Sequence, residues 1–68
     1  MPKLPSSQKI IKVLGKQGFV FISQKGSHLK YKNSGQLTVI IPADKKEIPI
    51  GTLKSIARQS HLTTEDFK

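Results

Sequence analysis

His28 and His61 are the two side chains of this chain whose ordinary pKa permits proton transfer near neutral pH. The carboxylates are Asp44, Glu47, Glu65 and Asp66, and there is no cysteine. That inventory excludes several chemistries. A thiol nucleophile is absent, no glycine-rich phosphate loop of the P-loop type occurs, and the two histidines lie too far apart to read as metal-ligand spacing. Two of the four carboxylates sit in the terminal segment, so a two-metal hydrolase that gathers several of them is not expected. Neither a metal nor a cofactor is expected.

What remains is Gly26-Ser27-His28. Histidine can give or take a proton near pH 7 because its unperturbed pKa is about 6.5. RNA carries its own nucleophile, the ribose 2′-hydroxyl, so breaking its backbone requires neither metal nor covalent enzyme intermediate. A base, an acid and positive charge at the strained phosphate suffice. Strand alternation from Ser27 to Lys32 puts His28, Lys30 and Lys32 on one face and Leu29 and Tyr31 on the other. Lys25 lies just across the turn. Lysines on the same face oppose a second positive charge on the ring and so favour a neutral imidazole. Gly26 lets a phosphodiester approach the backbone closely. These positions give His28 as the candidate catalytic residue and Lys25, Gly26, Ser27, Lys30 and Lys32 as the candidate RNA-binding set. From spacing alone, a lone histidine at a strand start is more often an ordinary solvated residue.

Charge points the same way. Twelve Lys and Arg against four Asp and Glu give a formal net charge of +8 over 68 residues, which speaks to association with anions and not to fold. Nucleic acid is the common partner of a small basic domain. A membrane surface would call for a basic amphipathic helix or a polybasic block beside an apolar anchor, whereas the lysines here run from Lys3 to Lys68. No apolar run approaches the ~18 residues of a membrane span. Met1-Pro2-Lys3-Leu4-Pro5 lacks the apolar segment of a secretory signal, so a cytoplasmic protein is expected. One domain over residues 1–68 is expected, with a thin core, because a chain this short buries only about 60% of its unfolded surface.

The elements that must position these residues can be read in order. Ser6 and Ser7 can cap a helix carrying Ile10, Ile11, Val13 and Leu14 at helical spacing, over roughly 7–17, with Gly18 as its C-terminal cap. Residues 19–22 compose a strand, Lys25-Gly26 a turn, and 27–32 a second strand. Asn33-Ser34-Gly35 is a further turn, and 36–41 a third strand stopped by Pro42. After a charged loop, Leu53, Ile56 and Ala57 mark a second helix over roughly 52–60. Thr63 with Asp66, or Thr64 alone, can cap a last helical turn ending near Phe67. Phe19, Phe21 and Phe67 read as core rather than as base-stacking platforms. Tyr31 reads as a core edge, and His61 as a structural residue near a helix end. The sum is an α+β domain of double-stranded-RNA-binding shape: helix, three antiparallel strands, helix, with both helices on one sheet face.

Gly18-Phe19 leading into a strand, then Gly26-Ser27-His28, then an apolar strand ending at Pro42, resembles the HicA (YcfA-like) toxins. Ile50-Gly51-Thr52-Leu53-Lys54-Ser55-Ile56 is similar to that family's Pro-Gly-Thr-Leu-Arg-x-Ile segment. The resemblance covers nearly the whole chain. It implies a double-stranded-RNA-binding-like fold, a metal-independent mRNA-cleaving toxin with its catalytic histidine at His28, and neutralisation by a HicB antitoxin. Three departures stand out. Leu29 is where many relatives have a second histidine, Lys32-Asn33 replaces Arg-His, and Ile50 replaces Pro. With no second imidazole, the proton donor would be Lys25, Lys30, Tyr31 or water. Two other functions fit the residues: a non-catalytic double-stranded-RNA-binding module, and a basic subunit docking an acidic protein.

Overall fold

A computed structural model describes residues 4–68. Met1 to Lys3, on which the expectation of no secretory signal partly rests, lie outside the described residues. Helix α1 spans Ser7–Lys16, strands β1, β2 and β3 span Val20–Lys25, His28–Lys32 and Thr38–Pro42, and helix α2 spans Ile50–Ser60. A final 3₁₀ turn covers Thr64–Phe67. The strands form one antiparallel sheet in the order β1-β2-β3. This is the helix, three-strand, helix arrangement expected for an α+β domain of double-stranded-RNA-binding type.

Helix α1 starts where Ser6, in extended backbone, accepts a hydrogen bond from the Lys9 N–H at 3.1 Å. Ser7 does something different. Its hydroxyl is buried, donates to the Pro42 carbonyl at 2.7 Å and accepts from the Lys45 N–H at 3.0 Å. One small side chain thereby ties the start of α1 to the end of β3, 35 residues away. Past the other end of α1, Gly18 takes φ +89°, the left-handed conformation expected of a C-terminal cap.

Ile10 and Leu14 of α1, Leu53, Ile56 and Ala57 of α2, and Tyr31, Val39 and Ile41 of the sheet form one buried cluster. Phe19, Ile48 and Phe67 complete it. Phe19 and Phe67 are core, as their composition suggests. Phe21 is not. It is 53% exposed, because β1 is an edge strand, and its ring meets Tyr31 edge-on with centroids 5.8 Å apart.

Most element boundaries fall within a residue of the sequence expectation, β3 taking in the Pro42 expected to stop it, and three differ by more. Strand β1 continues to Lys25 because hairpin pairing, not composition, recruits the polar Ser23 and Gln24. Strand β3 begins at Thr38 and not at Gln36. Gln36 sits at φ +68°, and Asn33 Oδ1 accepts the Leu37 N–H at 2.8 Å, which closes a longer loop. Helix α2 starts two residues early, at Ile50, with Pro49 as its extended N-terminal neighbour.

Candidate nucleic-acid interface

The β1–β2 hairpin turns on two residues, Gly26 and Ser27, between the cross-strand pair Lys25 and His28. Gly26 has φ +58° and Ser27 does not share the positive sign, the pattern of a II′ turn with glycine first. The turn is tied on both sides. Gln24 Nε2 donates to the Gly26 carbonyl at 3.0 Å, and the Ala43 N–H donates to the Ser27 carbonyl at 2.7 Å. His28 is therefore the first residue of a central strand that is fixed at its root, opposite Pro42 on one side and Lys25 on the other. The Ser7 hydroxyl that anchors Pro42 supports the same corner.

A one-residue bulge decides which side chains join His28. Phe21 pairs with Tyr31, yet Ser23 pairs with Lys30, so Ile22 is the inserted residue. Strict alternation from Phe21 would send Ser23 and Lys25 to the helix-covered face. The bulge resets the count, and Ser23 and Lys25 instead share the open face with Lys30 and His28. Nothing in the composition of Val20-Phe21-Ile22-Ser23 announces this. The signal lies in counting back from the Gly26-Ser27 turn, which fixes Lys25 against His28.

The open face is thus a grid of three rows. His28, Lys30 and Lys32 run down the middle on β2. Across from them stand Lys25, Ser23 and Val20 on β1, and Pro42, Ile40 and Thr38 on β3. Ser23, Lys25, His28, Lys30 and Ile40 line an open cleft of about 500 Å³. A second cleft of about 350 Å³, lined by Gly18, Val20, Ile22, Lys32, Asn33 and Ser34, occupies the other end of this face. Among the described residues the one ion pair is Lys68 with Glu65, at 3.3 Å. The lysines around His28 thus have no carboxylate partner, and their charge is available to an anion.

The remaining expectations sort by face. His28, Lys25, Lys30 and Lys32 come together, and Gly26 and Ser27 form the turn that presents them. Tyr31, one of the suggested proton donors, is buried on the opposite face beneath the helices, so it is removed from that role. Leu29 pairs with Gln24 and Ile41 and packs against the core. A histidine there would point away from His28, so its absence takes nothing from this face. Asn33 serves the β2–β3 loop instead. His61 is not among the residues that line the cleft and ends α2 at φ +60°. No group of three or more His, Asp or Glu side chains converges among the described residues.

The profile of a family described as the HicA toxin of bacterial toxin–antitoxin matches residues 7–62, from the first residue of α1 to just past the end of α2. The chain belongs to the HicA toxin family. It is the toxin of a toxin–antitoxin system, and such a system implies an antitoxin partner. No curated protein matches the chain significantly. Within this HicA toxin, the matched segment contains the whole sheet, the Gly26-Ser27 turn and the row from His28 to Lys32. No described helix is long and apolar enough to cross a membrane.

Proposed function

We propose that this HicA toxin is a metal-independent endoribonuclease that cleaves mRNA, with His28 moving the proton at the scissile phosphate. The observation that supports it is the open cleft that His28 shares with Lys25 and Lys30. There a phosphodiester can meet an imidazole and two unpaired ammonium groups at once. In this reaction neutral His28 takes the proton of the ribose 2′-hydroxyl. The 2′-oxygen–phosphorus bond forms while the phosphorus–5′-oxygen bond breaks. Lys25, Lys30 or a water molecule supplies the proton to the departing 5′-oxygen. The products end in a 2′,3′-cyclic phosphate and a 5′-hydroxyl. Charge that builds on the phosphoryl oxygens is met by the lysines, which is where a fixed positive group contributes most. Gly26 and Ser27 hold the turn. Lys32 continues the positive row along the bound strand. The antitoxin in this reading is a HicB-type protein that covers the same face, where an acidic surface would be steered by the net charge.

The test is cleavage of a defined RNA in EDTA by the wild type and by His28→Ala, both shown folded by circular dichroism. Loss of a general acid–base group costs about 10²–10⁴-fold in rate, so the variant should be nearly silent and the wild type active. Equal rates for the two proteins, or activity abolished by EDTA, would sink the proposal. A salt-sensitive binding module would then be left.

A further inference from the structure

We infer that the open sheet face takes an unpaired RNA strand laid along β2, with phosphates on the central lysines and nucleobases against the flanking apolar residues. The inference rests on the proposed cleavage and adds the form of its substrate. Three observations carry it. Three of the five exposed large hydrophobic residues, Val20, Ile22 and Ile40, stand on the face that carries the site. They flank the row of His28, Lys30 and Lys32, with Ile40 directly across from Lys30 and Val20 directly across from Lys32. The two clefts of this face abut the two ends of that row, one holding His28 and Lys30 and the other Lys32.

A duplex matches this pattern poorly. Its bases are stacked inside, and a protein meets mainly phosphate, sugar and groove edges. Three exposed aliphatic side chains beside the lysines would remain wet. A single strand presents phosphates and base faces together. Lysines two apart on a strand are separated by about 6.6 Å, comparable to neighbouring phosphates on an extended chain, and the apolar residues lie one strand to either side. Aliphatic side chains cover a base face without reading its edge, so the platform is tolerant of sequence. The chemistry asks for the same substrate. Attack by the 2′-oxygen must come in line with the departing 5′-oxygen, and the regular A-form helix holds these two atoms out of line. An unpaired nucleotide can swing into that alignment over His28.

The bulge contributes as well. Ile22 is the inserted residue, and it lines the second cleft while Ser23 lines the first. Both consecutive side chains therefore serve one face, which a regular strand cannot do.

Binding by full-length His28→Ala, which would hold RNA without consuming it, is the test. The probes are a short RNA, the same RNA annealed to its complement, and an abasic ribose-phosphate strand of equal length. Ile40→Thr keeps a β-branched residue in the strand, and Ile50→Thr, at an exposed site on α2 outside the two clefts, is the control. The unpaired RNA is expected to bind at least tenfold more tightly than the duplex or the abasic strand. Ile40→Thr should weaken that binding about fivefold while Ile50→Thr leaves it unchanged. Equal affinity for duplex and single strand, equal affinity for the abasic strand, or an Ile40→Thr protein that binds RNA as before would each overturn the inference. An Ile40→Thr protein that loses only antitoxin binding would make the apolar flanks a protein-docking surface instead. Cleavage by the wild type is read separately, so failure here leaves the ribonuclease reading intact.

Discussion

Lys25 and His28 face each other as the last cross-strand pair of the β1–β2 hairpin, on the side of the sheet that the helices leave open. Lys25 lies four positions after Phe21, whose ring meets Tyr31 at 5.8 Å, so unbroken alternation would have put Lys25 on the face of Tyr31. The bulge at Ile22 moves it to the histidine. Lys25 is therefore expected to matter more than its position in a flexible-looking turn suggests. Lys25→Glu should lower RNA cleavage by about one to two orders of magnitude, because it turns attraction for the phosphate into like-charge repulsion. Lys16→Glu, the same charge change at the exposed end of α1, should lower it only by the general loss of attraction. Comparable losses in the two variants, measured at one salt concentration, would deny Lys25 a place in the site.

Salt dependence counts the phosphate contacts. For single strands the logarithm of affinity falls with the logarithm of salt by about 0.7 per contacted phosphate. Lys30→Gln should reduce that slope by about 0.7, and so should Lys32→Gln. Titrations over a range of chloride concentrations measure it. An unchanged slope in both variants would remove the central row from the RNA path.

Ser7 is a stability prediction with a functional consequence. Its hydroxyl satisfies the Pro42 carbonyl and the Lys45 N–H inside the fold. Ser7→Ala leaves both without that partner and should cost about 1–3 kcal/mol. Ser6→Ala removes only an exposed cap bond and should cost about 1 kcal/mol or less. Urea denaturation of the two variants ranks them. Since Pro42 stands opposite His28, cleavage by Ser7→Ala should fall even at temperatures where the variant is fully folded.

His61 ends α2 in the left-handed region at φ +60°. Glycine adopts that conformation without a Cβ clash. His61→Gly should therefore melt within about 1 kcal/mol of the wild type, and His61→Val should be clearly less stable. Both should cleave RNA at the wild-type rate per folded molecule. A large loss of activity in His61→Gly would assign this residue a role that its location does not suggest.

Asp66 links the terminal turn to pH. Its Oδ2 accepts from the backbone N–H of Thr63 at 2.8 Å and from the Thr63 hydroxyl at 3.0 Å. The backbone hydrogen bond foremost, and then the hydroxyl, holds the carboxyl below its ordinary value of 3.8, against a small opposing effect of desolvation. A carboxyl depressed in the folded state stabilises that state above its unfolded pKa and ceases to do so as pH falls through the folded one. The stability gap between wild type and Asp66→Asn should be full at pH 6 and should close as the pH drops below about 3.8. Thermal melts across that range measure it, and a gap that does not vary with pH would refute the linkage. Phe67, buried next to Asp66 in the same turn, gives the melt its sensitivity.

Much of this protein is written in local pattern. The stripe Ile10-Leu14, the alternation of Leu29 and Tyr31 with His28, Lys30 and Lys32, and the Leu53-Ile56-Ala57 face each follow from the period of a single element, which a sequence displays directly. The glycine at 26 and the net charge of +8 were legible for the same reason. The exposure of Phe21, the bulge that carries Lys25 to its face, the long-range bonds of Ser7 and the role of Gln59 were not. Phe21 has the composition of core but lies on an edge strand that no helix covers. Lys25 reaches its face through a bulge that depends on pairing with β2. Ser7 bonds to groups 35 and 38 positions away. Gln59 accepts the Ile40 N–H at 3.0 Å and so covers part of the outer edge of β3. The elements, the turn glycine and the basic face on β2 thus follow from residue order within single segments. Which strands lie uncovered at the edge, where the alternation breaks, and which polar side chains hold distant backbone emerge only when the segments pack. Those outcomes depend on register and burial between segments, and neither is encoded in the spacing of residues within one segment.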